Sequence, residues 1–565
     1  MADGSALAYS ALFPVGSGPF PTLMSYNGYD AGGIGGWSYR RGSTAMSHDL
    51  DTALLEHGYA LVGVNMRGTG PSDGDFELFQ SQWGPDGAAA VQWISEQPWS
   101  TGRIGMYNWS WGGIGQLCTA GQRPQALAAI APGMVVVDPL RDSGSPGGVP
   151  NNFAQTWWRY IQLTWGYAAT SAIVDRDWPA AKTILRRIAR TGPDSPGVVT
   201  RAHRTEDAYT LAHSLTDAVG RITAPTLAIN AWQDMSTGPR PGSFAELLPA
   251  ETTWSIGTNG KHDIYVSASI RAELLRFFDH YVKGEENGFE ATPHARIWFD
   301  TAADGPDTGH YGFGEMNRKG NGSTVPGFVY DVPATDQSDD QVWTLNLRRD
   351  GALSSAVADP GEPASAYQEL PRAPKVDLFN FHDGWRRSTP PASTLAYSTA
   401  PFEDDHLVFG PASLDLHVSV DDSDADLQVI LTHVDPEGNE TYVQSGLLRL
   451  SNRALDPEQS TLLEPFLQHT TPQPVRPGHL VACRVPIPAF AHAFRRGSAL
   501  RIWLYRPSAM GVWKFDANPA QGRLRIHHDA ATPSLLRLRR TPYDIPTAAP
   551  APGSLWNAPS RPGRV

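Results

Sequence analysis

Cysteine is nearly absent: Cys118 and Cys483 are the two in 565 residues, and they lie far apart. A disulfide framework is thereby excluded, and a cysteine-rich zinc site has no ligands to draw on. No run of 18 apolar residues occurs, so no transmembrane helix is expected. The opening MADGSALAYS lacks the basic and apolar stretches of a secretory signal, and the expectation is a cytoplasmic protein. Cations are in deficit, 45 Lys and Arg against 58 Asp and Glu, which argues against nucleic acid and anionic membrane surfaces as partners. Neither internal repeats nor a low-complexity core is visible. Nothing in the composition calls for a cofactor or a metal. The oligomeric state stays open, a homo-oligomer included.

What is present is a folded chain, 41% hydrophobic and 18% charged, long enough for two or three domains. Its first part alternates strand and helix signals. PTLMSY (21–26), YALVGVNM (59–66) and RIGMYN (103–108) are short apolar runs, and GAAAVQWISEQ (87–97) reads as a helix between them. Such alternation predicts a parallel sheet covered on both faces. Aromatic residues at helical spacing in NFAQTWWRYIQLTWGYAA, followed by AAKTILRRIAR and DAYTLAHSLTDAV, predict a helical insertion. The rhythm resumes at APTLAINAWQD (224–234) and TTWSIGTNGKHD (252–263). It closes on a helix with Ile270, Leu274, Phe277 or Phe278 and Tyr281 on one face, ending near Lys283 and Gly284. Thereafter short alternating strands with Pro and Gly punctuation predict a β-sandwich, a jelly roll. The expected layout is an α/β domain over 1–140 and 216–290, a helical cap over 141–215, a β-sandwich over 291–545, and a loosely held tail over 546–565.

The stretch NWSWGG (108–113) follows a strand and precedes a helix. Acyl transfer needs an exposed oxygen, a base and donors for the oxyanion. A sharp strand-to-helix turn supplies that exposure if its neighbours are small. Ser110 is then the nucleophile, and Gly112 and Gly113 supply the small side. The backbone N–H of Trp111 opens the helix, where it can donate to an oxyanion. Asn108 stands where the G-x-S-x-G pattern has glycine. Asn tolerates unusual dihedral angles better than most residues. The acid and the base of such a site follow the serine in the order Asp, His. Asp234 directly follows the apolar run TLAINAWQ, and His262 follows TWSIGTNGK. A rival reading is a binding protein with a degenerate hydrolase part, and Asn108 speaks for it.

These segments resemble the cocaine esterase and X-prolyl dipeptidyl peptidase group of α/β-hydrolases, which also holds glutaryl cephalosporin acylases and α-amino acid ester hydrolases. The resemblance runs through YNGYD (26–30), NMRGTGPSDGDF (65–76), IGMYNWSWGG, WQD, GKHD, RFFDHYVKGEENG (276–288) and, in the last third, SVDDSDADLQVILTHVDPEG and RPGHLVACRVPIPAF. It implies an α/β-hydrolase domain with a helical cap and a C-terminal jelly roll, and an acyl-enzyme mechanism on small ester or amide substrates. It also implies a tyrosine hydroxyl in the oxyanion hole: Tyr29, with Tyr26 as rival. Arg67 is read as structural, or as an exposed cation paired with a carboxylate. The cap is expected over the site, with Trp157, Trp158, Trp165 and Tyr167 either lining an acyl or leaving-group pocket or packing a core. Members of the group that recognise a free α-amine carry carboxylates shortly after the catalytic aspartate. Met235, Ser236 and Thr237 stand there instead, which favours uncharged esters over X-Pro peptides.

Overall fold

The computed structural model describes residues 1–29, 48–191, 195–234, 236–238, 240–260, 262, 264–303, 324–332, 341–368, 385, 394–507, 515, 522–546 and 560–562. Asp30, Met235, Lys261, Asp263 and most of the expected tail lie outside these residues.

A nine-stranded sheet carries the first part of the chain. Its strands are β1 (Tyr9–Leu12), β2 (Phe20–Asn27), β3 (Ala60–Asn65), β4 (Ser100–Trp109), β5 (Leu127–Gly133), β6 (Thr226–Ala231), β7 (Thr253–Thr258), β8 (Ala295–Phe299) and β9 (Phe328–Asp331), in the spatial order β1-β3-β2-β4-β5-β6-β7-β8-β9. Pairing is parallel from β3 to β8 and antiparallel at the two edges, β1 and β9. Successive residues of the central strands enter opposite cores. Leu23 packs with α1 (His48–Glu56) and α9 (Ala268–Phe278), whereas Met24 packs with α2 (Trp83–Ser95) and α3 (Trp111–Ala120). Burial on both faces is what near-continuous apolar strands demand. The closing helix gives way to a wider turn over Asp279–Lys283 and stops at Gly284, whose φ of 80° is the left-handed cap suited to glycine.

Between β5 and β6 the chain forms a helical block: α4 (Phe153–Val174), α5 (Trp178–Thr191), α6 (Ser195–Ala202), α7 (Ala208–Ala212) and α8 (Thr216–Val219). The inner face of α4 presents Trp158, Ile161, Trp165, Ala168 and Ala169 to the core on the α2/α3 side of the sheet. None of the described helices is long and apolar enough to cross a membrane.

The last part forms two antiparallel sheets, of seven and five strands, whose inner faces share one core. Two expectations are corrected here. The change of pattern near 291 is not where the first sheet ends, because β8 and β9 extend it; short apolar strands look alike in either sheet. The tail is not loosely held throughout. Ser560–Pro562 pairs with Asn439–Thr441, and the Arg561 guanidinium lies 2.8 Å from the buried Glu440 carboxylate and over the Trp385 ring at 3.8 Å. A buried carboxylate without such a partner is strongly disfavoured, and this fixes the segment. Trp232, Ile297, Phe299, Phe328 and Tyr330 of the α/β part join the sandwich core, so the two parts pack as one body.

Candidate active site

The turn between β4 and α3 holds Ser110 at φ 57°, ψ −128°, a strained conformation for a residue with a side chain. Asn108 is also left-handed, at φ 114°. Its surroundings show how asparagine serves in place of glycine. The Asn108 N–H donates to the Tyr265 hydroxyl at 3.0 Å, and its side-chain amide donates to Ser25 Oγ at 2.9 Å and accepts from the Trp109 N–H at 2.9 Å. Gln116 Nε2 donates to its carbonyl at 2.8 Å. These bonds offset the unfavourable dihedral. Space is then needed on the far side of the turn, because a Cβ on Gly112 would lie 2.8 Å from Asn108 Cβ.

The Ser110 hydroxyl is 2.7 Å from the Tyr29 hydroxyl. Burial raises the Tyr29 pKa, opposed by interactions with Ser110, the Trp111 backbone N–H and the Trp157 indole. The phenol is therefore held protonated, and it converges with the Trp111 N–H beside the serine. The cap fixes this tyrosine. Thr164 Oγ1 donates to the Tyr29 carbonyl and Trp165 Nε1 to the Gly28 carbonyl, each at 3.0 Å. The Tyr29 ring meets Trp111 edge-on at 5.3 Å. Tyr26 is fully buried away from this group.

Asp234 and His262 follow β6 and β7. His262 Nδ1 is 2.9 Å from Asp234 Oδ2. The same carboxylate, fully buried, accepts from the Ser236 N–H at 2.7 Å, the Thr237 N–H at 3.4 Å and the Thr237 hydroxyl. Tyr29, Ser110, Trp111 and His262 line one cavity of about 80 Å³. Its other walls are Leu78, Phe79, Trp83, Ile114, Val136, Phe153, Ala154 and Trp157, with Ser143, Ser236 and Thr237 as polar points. No Asp, Glu, Lys or Arg lines it among the described residues.

Of the four cap aromatics, Trp157 reaches the cavity wall. Trp158 and Trp165 are fully buried, stacked with or against Phe76, and form the cap core. Tyr167 is 51% exposed on the outer face of α4. Helical spacing cannot separate these fates; what each ring meets decides them, Trp111 for Trp157 and Phe76 for Trp158 and Trp165. Arg67 is buried rather than exposed and makes a bidentate pair with Asp86, at 2.7 and 2.9 Å. No group of three or more His, Cys, Asp or Glu side chains suited to a metal exists among the described residues. Sequence reasoning missed Tyr265, Ser25 and Gln116, which pin Asn108; no local pattern marks them.

A serine on a strained strand-to-helix turn, a cap over it, and a histidine–carboxylate pair after two later strands of a parallel sheet define an α/β-hydrolase. Residues 3–262 match the family profile of X-Pro dipeptidyl-peptidase (S15 family), and residues 287–537 that of the X-Pro dipeptidyl-peptidase C-terminal non-catalytic domain. The chain belongs to the cocaine esterase and X-prolyl dipeptidyl peptidase family of serine hydrolases. It is 24% identical to the cocaine esterase of Rhodococcus sp. (strain MB1 Bresler) over 572 aligned positions, covering 92% of this chain and 91% of that one. Two of the solved structures that share its fold show the likeness. One is a CocE/NonD family hydrolase from Staphylococcus aureus, with a TM-score of 0.74, 19% identity, and coverage of 96% of this chain and 92% of that one. The other is an α-amino acid ester hydrolase, with a TM-score of 0.72, 17% identity, and coverage of 96% and 95%.

Proposed function

We propose that this chain is a serine esterase acting on uncharged, apolar carboxylic esters of short to medium acyl chain. The observation that carries the reading is the convergence on one apolar cavity of the Tyr29–Ser110 hydroxyl pair, 2.7 Å apart, and the imidazole held at 2.9 Å by Asp234. Ser110 Oγ attacks the ester carbonyl while His262 takes its proton. The carbonyl π electrons move to oxygen, and Tyr29 and the Trp111 N–H donate to that oxyanion. Collapse expels the alcohol, which receives the proton from His262. Water, deprotonated by the same imidazole, then releases the acid from the acyl-enzyme. Asp234 holds the tautomer in which Nδ1 carries hydrogen and stabilises the imidazolium. In the free enzyme the serine bonds to Tyr29; on this reading, substrate takes Tyr29 as its donor and leaves the serine to His262.

The absence of carboxylates among the described cavity-lining residues disfavours recognition of an α-ammonium group, so an aminopeptidase or α-amino ester hydrolase reading is second. A fluorophosphonate probe is expected to label Ser110, and labelling is expected to vanish in Ser110→Ala. p-Nitrophenyl butyrate is expected to turn over far faster than an X-Pro p-nitroanilide. A folded enzyme that resists the probe, or that prefers the X-Pro anilide, overturns the proposal.

A further inference from the structure

Gln233 is 1% exposed and sits where the α/β part meets the β-sandwich. Its N–H donates to the Gly260 carbonyl at 3.1 Å, and its Oε1 accepts from the Gly260 N–H at 2.9 Å. These two bonds tie the turn bearing Asp234 to the segment that leads to His262. Its Nε2 donates to the carbonyl of Val443, in the sandwich, at 2.9 Å. The register of Asp426–Val434 against Asn439–Arg449 slips at that point. Leu431 faces Gln444 and Thr432 faces Tyr442, so Val443 is the extra residue of a β-bulge with no partner across this ladder. The next residue returns the contact: Gln444, also 1% exposed, donates from Nε2 to the Trp232 carbonyl at 3.0 Å and accepts from the Ser445 N–H at 2.9 Å.

We propose that Gln233 is a positioning residue and that the Val443 bulge with Gln444 is its anchor, so that the sandwich sets the geometry of the Asp234–His262 pair. The inference rests on the serine hydrolase reading of Ser110, Asp234 and His262. Its physical basis is that the aspartate and the histidine stand on loops after different strands. A carboxylate–imidazole bond needs both loops fixed to a fraction of an ångström. A primary amide offers a donor and an acceptor on one rigid plane, which here bridge a carbonyl of one domain and an N–H of the other. A buried apolar side chain of equal length would fill the space without fixing either loop.

The test uses the full-length enzyme with p-nitrophenyl butyrate. Gln233→Met keeps the length of the side chain but loses both the acceptor for Gly260 and the donor to Val443; Gln233→Leu loses both with a branched chain. In folded variants kcat is expected to fall about 10- to 100-fold, as for a misplacement of up to an ångström, with KM nearly unchanged. Val485→Ala, a cavity deep in the sandwich, is the control: it lowers the melting temperature and leaves kcat and KM in place. Should Gln233→Met not fold, Gln233→Leu and Gln444→Met give the same readout. Unchanged kcat in the Gln233 and Gln444 variants, with Ser110→Ala inactive, overturns the positioning role and leaves the hydrolase reading standing. Turnover that survives in Ser110→Ala overturns both.

Discussion

Replacing Tyr29 by Phe isolates one hydroxyl. The ring keeps its edge-on contact with Trp111 at 5.3 Å, and the backbone keeps its bonds to Asn27 Oδ1 and Thr164 Oγ1 at 3.0 Å each. What is lost is the donor 2.7 Å from Ser110 Oγ. Removing one oxyanion donor costs about 2.7–4 kcal/mol in the transition state. The free enzyme also loses a hydrogen bond, worth about 1 kcal/mol net, and this loss raises the ground state and offsets part of the cost. Measured from free enzyme and substrate, the barrier should therefore rise by roughly 2–3 kcal/mol, a fall in kcat/KM of about 30- to 160-fold, with the Trp111 N–H sustaining the remainder. Steady-state hydrolysis of p-nitrophenyl butyrate measures the effect, with a thermal melt to show that the fold is intact. A kcat/KM within about threefold of the parent, in a protein of equal melting temperature, refutes the assignment of this phenol to the oxyanion.

Gly112→Ala places a methyl group 2.8 Å from Asn108 Cβ and should cost about 1–3 kcal/mol of stability, read as a lower urea midpoint, together with loss of activity as the serine turn shifts. Burial lowers the pKa of His433 to about 4, of His528 to about 4 and of His469 to about 3. The unfolded chain takes up these protons below about pH 6.5 and the folded one refuses them, so stability should be full above that pH and decline as pH falls toward 4. His433 alone should account for about 3 kcal/mol by the bottom of that range, and urea midpoints at pH 7, 5.5 and 4.5 test the slope. Arg561→Met leaves Glu440 with Arg501, 3.7 Å away, as its remaining cation and should cost about 3 kcal/mol. Glu440→Gln in the same chain should recover much of that loss, and a double-mutant cycle of melting temperatures measures it.

The α/β rhythm, the helical block and the sandwich were legible because each has its own hydrophobic period. The strand–serine–helix turn was legible because Gly112 and Gly113 mark it. The order of Ser110, Asp234 and His262 could be read because each follows an apolar run, and these runs are the strands whose ends the fold gathers together. The rest depended on partners distant in sequence. Asn108 at a left-handed angle makes sense once Tyr265 and Ser25 are beside it. β8 and β9 carry no mark of which sheet they join. Arg561 reads as one cation in a Pro-rich tail until Glu440 is seen beneath it. Trp158 and Trp165 share the spacing of Trp157, and their place is settled by Phe76, about eighty residues earlier. Gln233 stood in plain view in WQD, but its meaning lies in a bulge two hundred residues on.

The separation between Gln233 and that bulge bears on the birth of the enzyme. Serine, aspartate and histidine have all left the ribosome before the strand that braces two of them is begun. Residue 443 is translated 181 positions after residue 262, a delay of roughly 10–40 s at ordinary elongation rates. During that interval a nascent chain carries the reactive groups without the brace, and it exposes the apolar flank of Trp232, Ile297 and Phe299 that the sandwich will cover. A full-strength hydrolase is thus a property of the finished polypeptide, and the growing one needs shelter for that flank in the meantime.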